Sequence, residues 1–290
     1  MNPETEECVL ERKLHISFKK EFLVMDAASK QPSKYFISKG IDQFFIGVYD
    51  ISKFIVQFFK EAFTPPYEFS EIIKQCYQVG YKSLSLITLT AMITGIVFTD
   101  HSRPSLADFG ATSWLPSLIG IAIVKALAPL ITSLICAGKV GSQIGAELGS
   151  MKVTEQIDAM EVSAVNPFKF LVVTRVIATT LMVPLLTIYS AFIGLLGSYL
   201  DVHAKDQTSL TMFIHDAFFK IGYAEITSTL VRSVLFGFTI GIVGCYKGFT
   251  TSEGTEGVGK AANLSVVIIM FLIFIEEMVI VKFFNPLYMQ

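Results

Sequence analysis

Residues 261–284 read AANLSVVIIMFLIFIEEMVIVKFF, a run in which most side chains are apolar. A helix of about 20 residues crosses the ~30 Å hydrocarbon core of a bilayer, so this run is long enough to span one. Four comparable runs precede it, and the five predicted spans cover residues 79–99, 114–137, 168–200, 224–246 and 261–284. The whole chain is 52% hydrophobic and only 17% charged, whereas soluble domains are about a quarter charged. The sequence therefore predicts an all-α, polytopic membrane protein.

Lysine and arginine are unevenly divided between the two sides of the predicted spans. The N-terminal region and the connections after the second and fourth spans hold most of them: Arg12, Lys13, Lys19, Lys20, Lys30, Lys34, Lys39, Lys53, Lys60, Lys74, Lys139, Lys152, Lys169, Lys247 and Lys260. The other side holds Arg103, Lys205, Lys220 and Lys282. Because cytoplasmic connections carry the excess of basic residues, we expect a cytoplasmic N-terminus in a bacterial inner membrane. A net charge of −2 gives no basic field for nucleic acid.

An amphipathic helix is predicted over residues 41–63, before the first span. Its apolar residues recur at helical spacing: Ile41, Phe44, Phe45, Val48, Ile51, Ile55, Phe58 and Phe59. Charged residues fall largely between them, which favours a helix lying along the inner leaflet over one that crosses it. The alternative is a helix packed on a soluble domain. Residues 1–39 form a polar segment that we expect in the cytoplasm, and residues 40–290 form the membrane domain.

The connection between the second and third predicted spans is GKVGSQIGAELGSMKVTEQIDAMEVSAVNP, residues 138–167. Gly141, Gly145 and Gly149 recur every four residues, which leaves one helix face bare for close packing. Beyond them, charges recur every three residues on one side of a helix: Lys152, Glu155, Asp158 and Glu161. This pattern predicts a short amphipathic helix in the cytoplasm, on which another cytoplasmic protein acts. A solvated surface helix without a partner is the alternative.

This connection resembles the signature of MlaE-type permeases, which are the membrane subunits of ABC transporters that move lipids together with MCE-domain proteins. The matching residues are Ala137, Gly141-Ser142, Ala146-Glu147, Gly149, Met151-Lys152, Thr154-Glu155-Gln156 and Asn166-Pro167, with a second match at residues 256–262, EGVGKAA. Where the family often has Arg-Glu-[IL]-Gly-Pro in the second span, this chain has Lys125-Ala126-Leu127-Ala128-Pro129.

The resemblance implies that residues 147–164 form a coupling helix that docks on a separate ATPase chain. The residues expected at that contact are Glu147, Lys152, Thr154, Glu155, Gln156 and Asp158. The resemblance also implies a homodimer with lipid bound between the protomers, and an MCE-domain protein on the outer face. ATP is then used by the partner ATPase, and this chain needs no cofactor of its own.

Charged residues deep inside the apolar runs include Lys125, Arg232, Glu276 and Glu277. Each costs about 2.5–3.5 kcal/mol at mid-membrane on insertion scales, so facing lipid is disfavoured. One interpretation is a structural ion pair between Arg232 and a glutamate, joining the fourth and fifth spans. The other is a polar patch for a lipid head group, which we favour for Lys125. Two glycine pairs in the fourth span predict close helix packing or a homodimer seam: Gly237 with Gly241, and Gly244 with Gly248.

The sequence carries no motif for catalysis or for nucleotide binding. Residues 254–261 read GTEGVGKA, which falls short of a Walker A motif because Ala261 stands where Mg²⁺ needs a serine or threonine. Asp201, His203 and Asp206 have no distinctive ligand spacing, so we interpret them as a polar external loop and not as a metal site. The sequence thus predicts a lipid-transport permease subunit that is not an enzyme. The alternatives are a membrane-embedded lipid-modifying enzyme and a non-transporting membrane scaffold.

Overall fold

The computed structural model describes residues 36–65, 67–252 and 254–284. Helices are the only regular secondary structure in these ranges. Five of them are long and apolar enough to cross a membrane, and they are called spans one to five: Phe69–Asp108, Thr112–Val153, Phe168–Asp206, Tyr223–Phe249 and Gly254–Phe284. The predicted all-α membrane fold is confirmed, and each predicted span lies within one of these helices. Most of the predicted polar segment 1–39 lies outside the described residues.

The predicted amphipathic helix is present as Phe36–Ala62. The chain divides into two compact units after residue 53, and only the last part of this helix belongs to the unit that contains the spans. In that part Phe54 and Phe58 are buried. The Phe54 ring lies 4.9 Å from the ring of Phe168, and the Phe58 ring lies 5.6 Å from that of Phe238. Aromatic contacts therefore hold the end of this helix against spans three and four. Phe54 makes one of these contacts, although it is not among the apolar residues that recur at helical spacing in the predicted amphipathic helix.

Span three packs against both span one and span four. It begins with a π-helical turn, Phe168–Val173, and continues as Thr174–Asp206, six residues past the predicted end of the span at residue 200. Span one consists of Phe69–Val79 and Tyr81–Asp108, which meet at Gly80. Spans one and three approach closely at Gly197. A methyl group at this position would stand 2.5 Å from the carbonyl oxygen of Met92.

Span two is interrupted by two π-helical turns. A 3₁₀ turn, Thr112–Trp114, leads into three α-helical parts, Leu115–Ala122, Ala128–Cys136 and Ser142–Val153, and the π turns between them are Ile123–Leu127 and Ala137–Gly141. A π turn closes hydrogen bonds over five residues instead of four, so it shifts the backbone bonding pattern. The first π turn lies where span two meets span four.

A ten-residue helix, Leu210–Phe219, follows span three and is called the cap helix. It is too short to cross a bilayer. Ser209 begins it by accepting a hydrogen bond from the Met212 N–H at 3.4 Å. The cap helix packs on the start of span two, where the backbone of Ala217 lies directly against Gly120. It therefore covers the end of the bundle that lies away from the connection between spans two and three.

Candidate functional site

The carbonyl of Lys125 lacks its usual helical partner because residue 129, which would donate to it, is a proline. Span four supplies a replacement, since Arg232 Nη1 donates to this carbonyl at 3.0 Å. The Lys125 side chain is partly exposed, while its backbone belongs to the buried contact. The position of Pro129 in span two thus creates the acceptor that helps to hold Arg232 in the bundle.

A second carbonyl of span two is freed by the first π turn. The Ala128 N–H bonds to the carbonyl of Ile123, so the carbonyl of Val124 has no α-helical donor. The hydroxyl of Thr229, one turn before Arg232, donates to Val124 at 3.1 Å. Spans two and four are therefore joined by side chains that complete backbone hydrogen bonds in an apolar setting, where an unpaired carbonyl is costly.

Arg232 also forms the main ion pair inside the apolar spans. Its Nη1 lies 2.7 Å from Glu277 Oε1, and the arginine is 1% exposed. The neighbouring Glu276 accepts a hydrogen bond from Thr239 Oγ1 at 2.5 Å. Arg232 Nε and the second carboxylate oxygens of Glu276 and Glu277 have no hydrogen-bond partner among the described residues. This cluster, Lys125, Arg232, Thr239, Glu276 and Glu277, is called the polar cluster, and its unmet atoms are buried.

The predicted coupling helix over residues 147–164 is two helices in the structure. Ser142–Val153 and Gln156–Val162 are separated at Thr154 and Glu155, and Glu155 has a left-handed backbone with φ 57°. Lys152 Nζ bonds to Asp158 Oδ1 across this break at 2.7 Å. The prediction of one continuous helix was wrong because a left-handed residue is usually glycine or asparagine, and the sequence places a glutamate there.

The remaining predicted coupling residues differ in exposure. Thr154, Glu155, Gln156 and Asp158 are exposed, whereas Ile157 is buried in the core of the bundle. The segment Thr154–Asp158 therefore presents polar side chains to its surroundings, while Ile157 packs into the core of the bundle. A surface of this kind suits contact with another protein.

Glu147 is bound within the chain and is less exposed than these residues. Its Oε1 lies 2.9 Å from Arg175 Nη2, and the arginine side chain is 3% exposed. Arg175 Nη1 also donates to the carbonyl of Leu171 at 3.0 Å. Since Glu147 lies in span two and Arg175 in span three, the pair joins the two spans beside the segment Thr154–Asp158.

Asn166 joins the end of that connection to two other elements. Its Oδ1 accepts a hydrogen bond from the backbone N–H of Lys169 at 3.2 Å, which caps the start of span three. Its Nδ2 donates to Glu61 Oε2 at 3.2 Å, and Lys169 Nζ donates to the carbonyl of Thr64. The connection is therefore bonded to the end of the helix Phe36–Ala62 as well as to span three.

The glycines singled out in the sequence all lie at helix contacts within one chain. Methyl groups at Gly141 and Gly145 would stand 2.6 Å and 2.7 Å from Ile269 Cδ1 and Ser265 Oγ of span five, and one at Gly149 would stand 3.2 Å from Thr251. In span four, the corresponding contacts of Gly237 and Gly241 are with span three, and those of Gly244 and Gly248 are with Ile144 and Leu148 of span two. These glycines allow close packing of helices within the chain.

Asp201, His203 and Asp206, predicted to lie in an external loop, belong to the last turns of span three, and the two acids are ion-paired. Arg103 Nη1 lies 2.6 Å from Asp206 Oδ2, and Lys205 Nζ lies 3.0 Å from Asp201 Oδ1. Lys205 also pairs with Asp100. These contacts tie the end of span one to the end of span three, on the same side of the bundle as the cap helix.

Comparison with known protein families identifies the family of this chain. A family model described as Permease MlaE matches residues 72–283, which include the polar cluster and nearly the whole of the five spans. The chain belongs to the MlaE permease family. It is therefore a multi-pass membrane permease of the ABC transporter class.

Relatives of this MlaE-family permease extend over most of its length. A probable ABC transporter permease protein of Rickettsia prowazekii is 32% identical over 239 residues, covering 82% of this chain and 92% of the relative. One of Synechocystis is 35% identical over 205 residues, covering 71% and 78%. The Arabidopsis thaliana protein trigalactosyldiacylglycerol 1, chloroplastic, is 32% identical over 212 residues, covering 73% and 61%.

Sequence reasoning missed several residues of this MlaE-family permease that the structure brings together. Thr229 and Thr239 gave no signal, because threonine is common in spans. Arg175 lies within the predicted span 168–200 but was not counted among the charged residues inside the apolar runs. Its position six residues past Lys169, inside that predicted span, was the available hint that its side chain points into the bundle.

Proposed function

We propose that this permease moves lipids between membranes as the membrane subunit of an ABC transporter. Two copies form a homodimer in a bacterial inner membrane, with cytoplasmic N-termini. A separate ATPase chain binds the segment Thr154–Asp158 and uses ATP, and an MCE-domain protein sits on the outer face. The chain itself carries no ATPase site and catalyses no reaction.

The observation that carries the proposal is the ion pair of Glu147 with Arg175. It lies beside the exposed segment Thr154–Asp158 and joins spans two and three, so a push on that segment reaches both spans together. The contact is charge-assisted and buried on its arginine side, while the Glu147 side chain is 39% exposed, so solvent weakens it relative to a fully buried ion pair.

The polar cluster supports a lipid as the cargo. A phospholipid or glycolipid has a polar head and apolar tails, and the cluster offers unmet polar atoms inside apolar spans. One relative is named after trigalactosyldiacylglycerol, which is a lipid of this kind. The basic residues on the N-terminal side support the orientation.

Purification of the tagged chain from its native membrane tests the proposal. We expect an ATPase chain and bound lipid to copurify, and the lipid content to change on ATP turnover. The double variant Glu155→Lys, Asp158→Lys reverses two exposed charges and should lose the ATPase. Asp108→Lys reverses an exposed charge at the opposite end of the bundle and should retain it. Retention by the double variant would refute the docking site, and a chain purified without lipid would refute the cargo.

A further inference from the structure

An apolar cavity of about 400 Å³ lies between span three, the cap helix and span four. Its floor is buried and includes Phe213, Ala217 and Thr229, whereas Ile188 and Phe192 at its rim are exposed. The cavity therefore opens on the surface of the spans and not into the polar cluster. Its volume falls within the ~300–1,000 Å³ typical of small-ligand sites.

The two threonines in the walls of this cavity already donate their hydroxyl hydrogens to backbone carbonyls. Thr187 Oγ1 donates to the carbonyl of Val183 at 2.9 Å. Thr229 Oγ1 donates to Val124 and to Glu225, at 3.1 Å and 3.0 Å. Water needs two to four polar partners to occupy a cavity, so it gains little here. An apolar occupant fits these walls better.

The depth of the cavity follows from residues next to the cap helix and at the start of span two. Lys220 Nζ lies 3.9 Å from the ring centre of Trp114, and these residue types mark the head-group region of a bilayer. Gly120, against which Ala217 of the cavity packs, is six residues beyond Trp114, or about 9 Å deeper at helical rise. The cavity thus lies where a bilayer presents acyl chains.

We propose that this cavity binds one acyl chain of a membrane phospholipid. The chain enters from the leaflet past Ile188 and Phe192 and ends against Phe213. An extended acyl chain is narrower than a protein helix, which is about 10 Å wide with its side chains, and it therefore fits a cavity of this volume more readily. The inference requires only that the spans cross a bilayer, so it stands or fails independently of the proposed transport function.

Fluorescence quenching by brominated lipid tests this site, because Trp114 is the only tryptophan of the chain. In a Trp114→Phe background, one tryptophan is returned at Phe213, at Phe236 in the core away from the cavity, or at Leu181 on an exposed face. The variants are reconstituted in phosphatidylcholine carrying bromine in the middle of its acyl chains. Phe213 and Phe236 are 1% and 0% exposed, so the two positions differ in their distance from the cavity and not in burial.

We expect F213W to lose fluorescence nearly as strongly as L181W, and F236W to lose little. Adding Ala191→Phe, which fills the cavity, should protect F213W, whereas Leu181→Phe should not. Equal, weak quenching of F213W and F236W would overturn the proposal. A phospholipid with a photoreactive acyl chain provides a second measurement on the unmodified protein. This lipid should label the cap helix at Phe213 and Ala217. Labelling confined to exposed residues would also overturn the proposal, as would a bound protein chain that blocks the labelling.

Discussion

Arg232 and Glu277 form a buried ion pair between spans four and five, with 2.7 Å between Nη1 and Oε1. The arginine is held from a third side by the carbonyl of Lys125, which Pro129 leaves without a helical donor. Three spans therefore meet at one guanidinium. Because the group is fully charged and almost without exposure, the packing of these spans depends on both of its partners.

Glu277→Gln removes the charge of one partner and keeps its shape. We expect a loss of about 3–5 kcal/mol in stability, because breaking a buried pair leaves an uncompensated charge. The double variant Arg232→Met, Glu277→Leu should recover most of that loss, since apolar replacement of a whole buried pair is often neutral. Thermal unfolding of the purified permease in detergent measures both.

The pair of Glu256 with Lys260 provides the control for this prediction. It lies in the same span at 3.2 Å, but its side chains are 81% and 55% exposed. Glu256→Gln should change stability by only ~0–1 kcal/mol, as exposed pairs do. Equal effects at Glu256 and Glu277 would contradict the structural role given to Arg232.

Close packing of spans three and four predicts opposite effects of two glycine substitutions. A methyl group at Gly237 would stand 2.6 Å from the carbonyl oxygen of Thr179, so Gly237→Ala should cost about 1–3 kcal/mol through overpacking. Gly259 is helical with nothing within 4 Å, so Gly259→Ala should gain about 0.5–1 kcal/mol from helix propensity. Thermal unfolding of the two variants gives the signs, and a stabilising Gly237→Ala would show that the spans are less tightly packed.

The five spans and the glycine contacts follow from the sequence because each depends on local composition. A run such as residues 261–284 has no stable alternative to crossing a bilayer, and glycines at Gly141, Gly145 and Gly149 leave a bare face wherever they pack. The need of Arg232 for a glutamate also follows, since an unpaired charge at that depth is too costly.

Other features depend on how the helices are rotated against each other, which periodicity does not determine. Helical periodicity places Glu147 on one face of span two, but it does not show that this face meets Arg175 of span three. The cavity beside the cap helix arises from three elements that are distant in the chain. The break at Glu155 is local, yet it has no glycine to signal it.

Glu147→Gln tests the link between spans two and three. It leaves Arg175, which is almost fully buried, without a charged partner. In the complex with the ATPase, we expect ATP hydrolysis to continue and lipid transfer per ATP to fall about tenfold or more, which corresponds to a loss of ~1.4 kcal/mol of coupling. The ratio of the two rates is the measurement.

Glu161→Gln is the matched control, because Glu161 is exposed and lies in the same connection. It should leave the ratio unchanged. If Glu147→Gln lowers hydrolysis and transfer in parallel, the pair stabilises the assembly without transmitting the motion.

The left-handed backbone of Glu155 predicts that glycine is better tolerated there than elsewhere in the segment. An L-residue in this conformation costs about 1–2 kcal/mol, whereas glycine adopts it freely. Glu155→Gly should therefore stabilise the isolated permease by up to ~1 kcal/mol, after the greater entropy of the unfolded glycine chain is subtracted. Ala159→Gly, at an exposed position within the helix Gln156–Val162, should destabilise it by about 1 kcal/mol. Opposite shifts in thermal unfolding support a break between two helices at this point, because in one continuous helix over residues 147–164 both substitutions would be destabilising.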